Sequence, residues 1–206
     1  MVNPTFIYFV RHGHVHNPKN ILYGRLPGFR LSEMGREQAQ AAATALREVP
    51  FAAAFSSPQL RARQTAEIIL AGRNGLEPSI SPLIDELDTP YEGRPISEVA
   101  ARKWDIYTGI EPQYEQPADL VARLRQFIAE VRRNYTGQPV LAVTHGDLIA
   151  FLLLWVKGFS LEPGSKEKLD TLGLADSYPA TASITTFTYQ TMMEDETPGL
   201  SYARPY

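Results

Sequence analysis

The chain has no cysteine, which excludes disulfides, cysteine nucleophiles and Cys-ligated zinc. That absence is compatible with a reducing cytoplasm, the expected location. No basic segment leads into a long apolar stretch at the N-terminus, so no signal peptide is expected. The longest apolar run, Leu148 to Val156, is far too short to span a bilayer. Acidic and basic residues nearly balance, 23 against 20, for a net charge of -3. There is no basic block, so neither nucleic acid nor a membrane is an expected partner. No repeat or linker divides the chain, and 206 residues suit one domain with a sizeable core.

Histidine is scarce as well, but it is concentrated. All 4 histidines lie in two short motifs, each just after an apolar run. His12, His14 and His16 follow the run from Thr5 to Val10. His145 follows Pro139-Val-Leu-Ala-Val143. A short unbroken apolar run reads as a strand buried on both faces, as in a parallel sheet. In such sheets ligands bind at the carboxyl ends of the strands. Two His-Gly steps are therefore expected at one sheet edge, with Arg11 beside them. Two imidazoles and a guanidinium at one point suit an anionic substrate, phosphate above all.

The remaining pattern alternates strand and helix, which argues an α/β domain with a mainly parallel sheet. A loop over 13–31 leads to Ser32, the N-cap of a helix over about 33–48 with an apolar stripe of Ala39, Ala42, Ala43 and Leu46. Phe51 to Phe55 reads as a weaker strand. Ser57-Pro58 reads as N-cap and first residue of a helix to about Ala71. A short strand near 78–82 follows. Residues 84–116 are irregular and Pro/Gly-broken, a pattern typical of a functional lid. Then come a helix over 117–134, a strand over 139–143, and a helix over about 147–157 with Asp147 as its N-cap. The last strand is expected over Ala182 to Tyr189. Residues 191–206 read as a peripheral tail, with Glu194-Asp-Glu196 as a solvated run.

Three elements carry the chemistry. A neutral imidazole at His12 is a competent nucleophile toward phosphorus if its other nitrogen is held by an acceptor. Gly13 leaves room for close approach. Arg11 keeps its proton and can grip two phosphoryl oxygens. In the second helix, Arg61 falls near the positive end, where an anion is favoured. Arg63, roughly 200° further around the helix, cannot share that orientation. His145 lies just before the helix start expected at Asp147, which points near the same edge.

These residues resemble the histidine phosphatase superfamily, which includes the cofactor-dependent phosphoglycerate mutases. The resemblance rests on Arg11-His12-Gly13, on Ser57-Pro-x-x-Arg61-Ala-x-Gln-Thr65 and on Thr144-His145-Gly146. Leu31-Ser-Glu-x-Gly35-Arg-x-Gln-Ala39 is similar to the family's first helix. The resemblance implies a phosphoglycerate mutase-like fold of three layers, α/β/α, around a mainly parallel sheet. It implies one such domain over 1–206, with 84–116 as a lid-like insertion. It also implies a mechanism: His12 attacks phosphorus, Arg11, Arg61 and His145 hold the phosphoryl oxygens, and a carboxylic acid protonates the leaving oxygen. No metal or cofactor is called for. Glu86, in Ile84-Asp-Glu-Leu-Asp-Thr-Pro-Tyr-Glu-Gly93, best matches the family's acid; Asp85 and Asp88 are the alternatives. Asn17, Gly24 and His14 are candidate substrate contacts, with Tyr23 and Arg25 behind them.

The expected activity is hydrolysis of a small phosphate ester. A phosphomutase is the alternative; it would need a second anion site, for which Lys19, Arg25, Arg30, Arg94, Arg102 and Lys103 are available. A non-catalytic phosphate-binding module is a weaker reading. So is a metallohydrolase built on His12-x-His14, for which too few histidines remain. The substrate and the oligomeric state are not legible.

Overall fold

The structure, a computed structural model, describes residues 3–73 and 75–206. Six strands form one sheet in the order β3-β2-β4-β1-β5-β6: β1 (Thr5–Arg11), β2 (Ala53–Ser56), β3 (Ser79–Ile80), β4 (Pro139–Thr144), β5 (Ile184–Tyr189) and β6 (Gly199–Ala203). The pairings β2–β3, β2–β4 and β1–β4 are parallel. β5 and β6 add an antiparallel flank. The helices are α1 (Glu33–Ala45), α2 (Leu60–Leu70), α3 (Ile96–Ala101), α4 (Pro117–Asn134) and α5 (Gly146–Val156).

The central strands bury both faces, which explains their unbroken apolar runs. Ile7 and Phe9 of β1, and Val140 and Ala142 of β4, face one core with residues of α4 and α5. Val10, Leu141 and Val143 face a second core with Ala42, Ala62, Ala66 and Ile69 of α1 and α2. The result is the expected three-layer α/β/α arrangement around a mainly parallel sheet. Every residue of α5 from Gly146 to Leu154 is buried, so this helix has no polar face. α4 does have one, and its inner stripe is Leu120, Leu124, Phe127, Ile128 and Val131.

Three expectations need correction. The second helix starts at Leu60, with Gln59 at the cap position, and not at Pro58. The Ser57 hydroxyl accepts from Gln59 N at 3.3 Å and also meets Asp85 and His145. α5 begins at Gly146 with His145 at the cap position, leaving Asp147 in the first turn. There Asp147 accepts from Tyr107 Oη at 2.5 Å and Tyr178 Oη at 2.6 Å. Within residues 191–206, Gly199–Ala203 extends the sheet as an edge strand, β6, that the sequence reading did not include. Arg132 of α4 ties this segment down. It donates to the carbonyls of Thr191 and Met193 and pairs with Glu196 at 3.0 Å, both side chains being buried to within a tenth of their surface. Glu196 is thus an anchor, not part of a solvated run. The irregular 84–116 segment contains α3 and buries Tyr107, which is 1 % exposed.

The end of β1 lies against the start of α1. Ser32 caps that helix, accepting from Gly35 N at 3.1 Å. A Cβ on Gly13 would stand 2.3 Å from the Gly35 carbonyl oxygen, and one on Gly35 would stand 2.0 Å from that of His14. The space freed at Gly13 is therefore used by the backbone of α1, not by a substrate. Gly35→Ala tests this contact. Alanine favours a helix interior by about 1 kcal/mol, yet overpacking here should leave a net destabilisation of about 1–3 kcal/mol by urea unfolding. An unchanged or raised midpoint would mean that the two backbones separate freely.

Candidate active site

The parallel register of β1 and β4 aligns Arg11 with Thr144. The next residue of each strand is a histidine, so the two imidazoles leave the sheet side by side. Their ring centroids are 5.2 Å apart, and His12 N–H donates to the Thr144 carbonyl at 3.0 Å. On the other side of β4, Ser56 aligns with Val143, which puts Ser57 beside His145. α2 then delivers Arg61. Thr65, one turn on, accepts from Gly13 N at 3.1 Å and donates to the Arg61 carbonyl at 2.8 Å. Arg61 is 1 % exposed, while Arg63 on the opposite side is exposed.

His12 faces Gly13 O with Nδ1 at 2.8 Å. A carbonyl only accepts, so Nδ1 carries the proton and Nε2 keeps a lone pair. That lone pair accepts from Arg61 Nε at 3.2 Å. Burial, then the charges of Arg61, His145 and Arg11, hold the His12 pKa well below the ordinary imidazole value, against the Gly13 bond. The ring is therefore neutral at neutral pH.

Arg61 Nη2 contacts Gly24 O at 2.8 Å, Glu86 Oε2 at 3.2 Å and His145 Nδ1 at 3.2 Å. The Tyr23 ring lies 4.7 Å from the guanidinium carbon, a cation–π contact. Glu86 Oε2 is also 3.1 Å from His145 Nδ1. Burial raises the Glu86 pKa. The charge and hydrogen bond of His145, then Arg61 and His12, outweigh burial and hold the carboxyl well below the usual range. Burial lowers the His145 pKa, and Glu86 and Asp85 oppose it.

The Glu86 backbone is fixed by two arginines. Its carbonyl accepts from Arg25 Nε at 2.8 Å and Arg123 Nη2 at 3.2 Å. Arg25 and Arg123 share Glu115 Oε2 at 2.8 Å and 3.2 Å. Asp85 turns away from the histidines toward Ser57, Gln59 and Glu86 N. The Asp88 side chain is 46 % exposed and 3.9 Å from Arg25.

Arg11 donates Nη1 to Pro179 O at 2.7 Å and lies 5.2 Å from the Tyr178 ring centre. Its buried Nε has no partner among the described residues, leaving a donor free for an anion. The ligand atoms of His12, Glu86 and His145 lie within 4.8 Å of one another, a set that could hold a metal ion. Arg61 already bonds all three and supplies the positive charge there.

The weaker candidates fall elsewhere in the hydrogen-bond pattern. Asn17 commits its side-chain amide to the Ile21 main chain. His14 is exposed and meets Ser32 Oγ at 2.8 Å. Gly24 joins the site through its carbonyl, as an acceptor for Arg61. The sequence reading overlooked Tyr178 beside Arg11, and Ser57 as the partner of His145. Tyr178 sits in an irregular loop with no periodicity to mark it. The Ser57 role follows only from strand register.

Comparison with known proteins agrees with this geometry. The family model described as histidine phosphatase superfamily (branch 1) matches residues 7–177. An uncharacterized protein of Mycobacterium tuberculosis is 36% identical over 165 residues, covering 77% of this chain and 81% of that one. The Bacillus subtilis PhoE, described as an uncharacterized phosphatase, is 30% identical over 75% of this chain and 78% of its own. A solved mycobacterial glucosyl-3-phosphoglycerate phosphatase superposes with a TM-score of 0.74 over 98% of both chains, at 24% identity; that likeness speaks for the fold alone. With its motifs in order, its fold shared and its sequence matched from the first strand to Ser177, the chain belongs to the histidine phosphatase superfamily.

Proposed function

We propose that the chain is a phosphomonoesterase that hydrolyses a small phosphorylated metabolite through a phosphohistidine at His12. The observation that carries this reading is the neutral Nε2 of His12, buried in one cluster with Arg61, His145 and Glu86. A phosphate dianion entering the cluster would meet the free Nε of Arg11 and the guanidinium of Arg61. Its oxygens would replace His12 and Glu86 as acceptors for Arg61, releasing the lone pair for attack. The Nε2–P bond forms as the bond from phosphorus to the ester oxygen breaks. Negative charge arriving beside Glu86 favours its protonated form, which then donates to the leaving oxygen. Water, deprotonated by Glu86, next attacks phosphorus and frees His12 and inorganic phosphate.

Glu86 suits the acid role better than its neighbours. Asp85 Oδ1 is taken by three donors, and Asp88 is turned toward Arg25. Three of the six cations that could form the second anion site of a mutase are engaged by other groups. Arg25 is engaged by Glu115, Arg102 by the carbonyls of Asp105 and Thr108, and Arg94 faces Glu98. A small phosphate ester is the partner this implies.

His12→Ala should abolish turnover with the fold intact, and rapid quench of the wild type should trap an acid-labile, base-stable phosphoryl adduct. With substrate ionisation allowed for, the acid limb of kcat/KM should lie below the ordinary imidazole value of about 6.5, because a lowered pKa keeps His12 neutral as pH falls. An active alanine variant would remove His12 from the reaction.

Arg61→Ala should reduce kcat/KM by about 10²-fold or more, the scale of losing a preorganised charged donor. Arg63→Ala should change it by less than about threefold, because it points to solvent. Comparable losses at both positions would contradict the assigned roles.

Glu86→Gln should slow alkyl phosphates by roughly 10²–10⁴-fold. Aryl esters such as p-nitrophenyl phosphate need little protonation and should slow much less. Equal loss on both would make Glu86 a binding group and not the acid.

A further inference from the structure

His145 meets the reacting centre with Nδ1. Its other nitrogen, Nε2, lies 2.7 Å from Ser57 Oγ. Ser57 Oγ in turn donates to Asp85 Oδ1 at 3.0 Å. The same Oδ1 accepts from Gln59 Nε2 at 2.8 Å and from Glu86 N at 2.7 Å. With two N–H groups already donating to it, this oxygen faces Ser57 as an acceptor, so the Ser57 hydrogen points at Asp85. The Ser57 lone pair then faces His145, which obliges Nε2 to carry a proton. Ser57 is fully buried and the Asp85 side chain is 15 % exposed, so water is a poor substitute for either link.

We propose that Asp85, acting through the Ser57 hydroxyl, is a positioning residue for phosphoryl transfer: it fixes His145 as an Nε2–H donor to Ser57 and turns Nδ1 to the phosphoryl group. Its catalytic consequence rests on the phosphohistidine reading. With Nε2–H committed to Ser57, His145 can donate from Nδ1 to a phosphoryl oxygen only as an imidazolium. Asp85 stabilises that cation through one intervening hydroxyl, as a carboxylate does for a metal-bound or catalytic histidine by direct contact. The charged groups facing His145 are Glu86, Arg61 and Asp85. Arg61 opposes the imidazolium, whereas Glu86 becomes protonated when it serves as the acid. Asp85 is then the carboxylate left to balance the charge. This also explains why one residue directly precedes the acid and yet faces away from the reacting atoms: Glu86 N–H holds Asp85 in place, and Asp85 holds Ser57.

The test uses the full chain with 15N-labelled imidazoles. In the wild type His145 should titrate as the Nε2–H tautomer. Asp85→Asn keeps an acceptor for all three donors but removes the charge. It should retain the tautomer and move the His145 midpoint to lower pH, by about half a pH unit or more. Ser57→Ala should move the midpoint the same way and release the tautomer, and Ser57→Thr should restore both. On p-nitrophenyl phosphate, where leaving-group protonation matters little, each of Asp85→Asn and Ser57→Ala should lower kcat about tenfold, with the double variant no worse than either single one. A His145 titration unchanged in both variants, or kinetic losses that multiply, would overturn the relay. Loss confined to alkyl esters in Asp85→Asn would make Asp85 the acid and also overturn it. A wild type inert toward every phosphate ester would sink the phosphohistidine reading alone, because the His145 titration decides the relay without substrate.

Discussion

The buried guanidinium of Arg61 is the interaction on which the site depends. An arginine at 1 % exposure carries a desolvation penalty of several kcal/mol unless its donors are matched. Here Nε and Nη2 are matched by residues from four separate stretches of chain: His12 after β1, the Gly24 carbonyl in the following loop, Glu86 before α3, and His145 after β4. Tyr23 covers its face. Each partner is correctly placed only if Arg61 is, and Arg61 is tolerable only if they are. That reciprocity gathers the loop over 13–31 and the irregular segment after Ile84 onto the sheet edge.

The same cluster sets its own protonation. Burial and surrounding positive charge keep His12 neutral, which a nucleophile requires. The positive charge, against the effect of burial, also keeps Glu86 ionised before any anion arrives, a form that cannot act as an acid. In the proposed mechanism a dianion entering between Arg11 and Arg61 would reverse the balance at Glu86. The substrate's own charge would then prepare the acid that acts on it, and fixed cations would provide the positive charge for this step.

Strand register turns these electrostatics into geometry. Because β1 and β4 are parallel neighbours with Arg11 opposite Thr144, two histidines distant in sequence emerge side by side. Because β2 is the other neighbour of β4, Ser57 reaches the far nitrogen of His145. The Glu86 backbone is clamped by Arg25 and Arg123 through a shared Glu115, so an irregular segment still presents its carboxyl at a defined point. At the opposite flank, the pairing of β6 with β5 and the Arg132–Glu196 ion pair close the sheet.

The apolar runs before His12 and His145, read alone, determined that two buried strands would end in histidine. Helical periodicity determined that Arg61 and Arg63 could not both face inward, and the motif around Arg61 selected it. These properties repeat over short distances along the chain, so local pattern carries them. The start of α2, the commitment of Ser57 to His145 and Asp85, and the strand at Gly199–Ala203 were decided only by the tertiary structure. Ser57-Pro58 has the composition of a helix start, but in the folded state the Ser57 hydroxyl also serves Asp85 and His145. β6 has little β-forming character of its own and exists because β5 offers it an open edge to pair with. The roles of the Gly24 carbonyl and of Tyr178 were likewise invisible, since a backbone oxygen and an aromatic ring in an irregular loop gain meaning only from the arginine that folding sets against them.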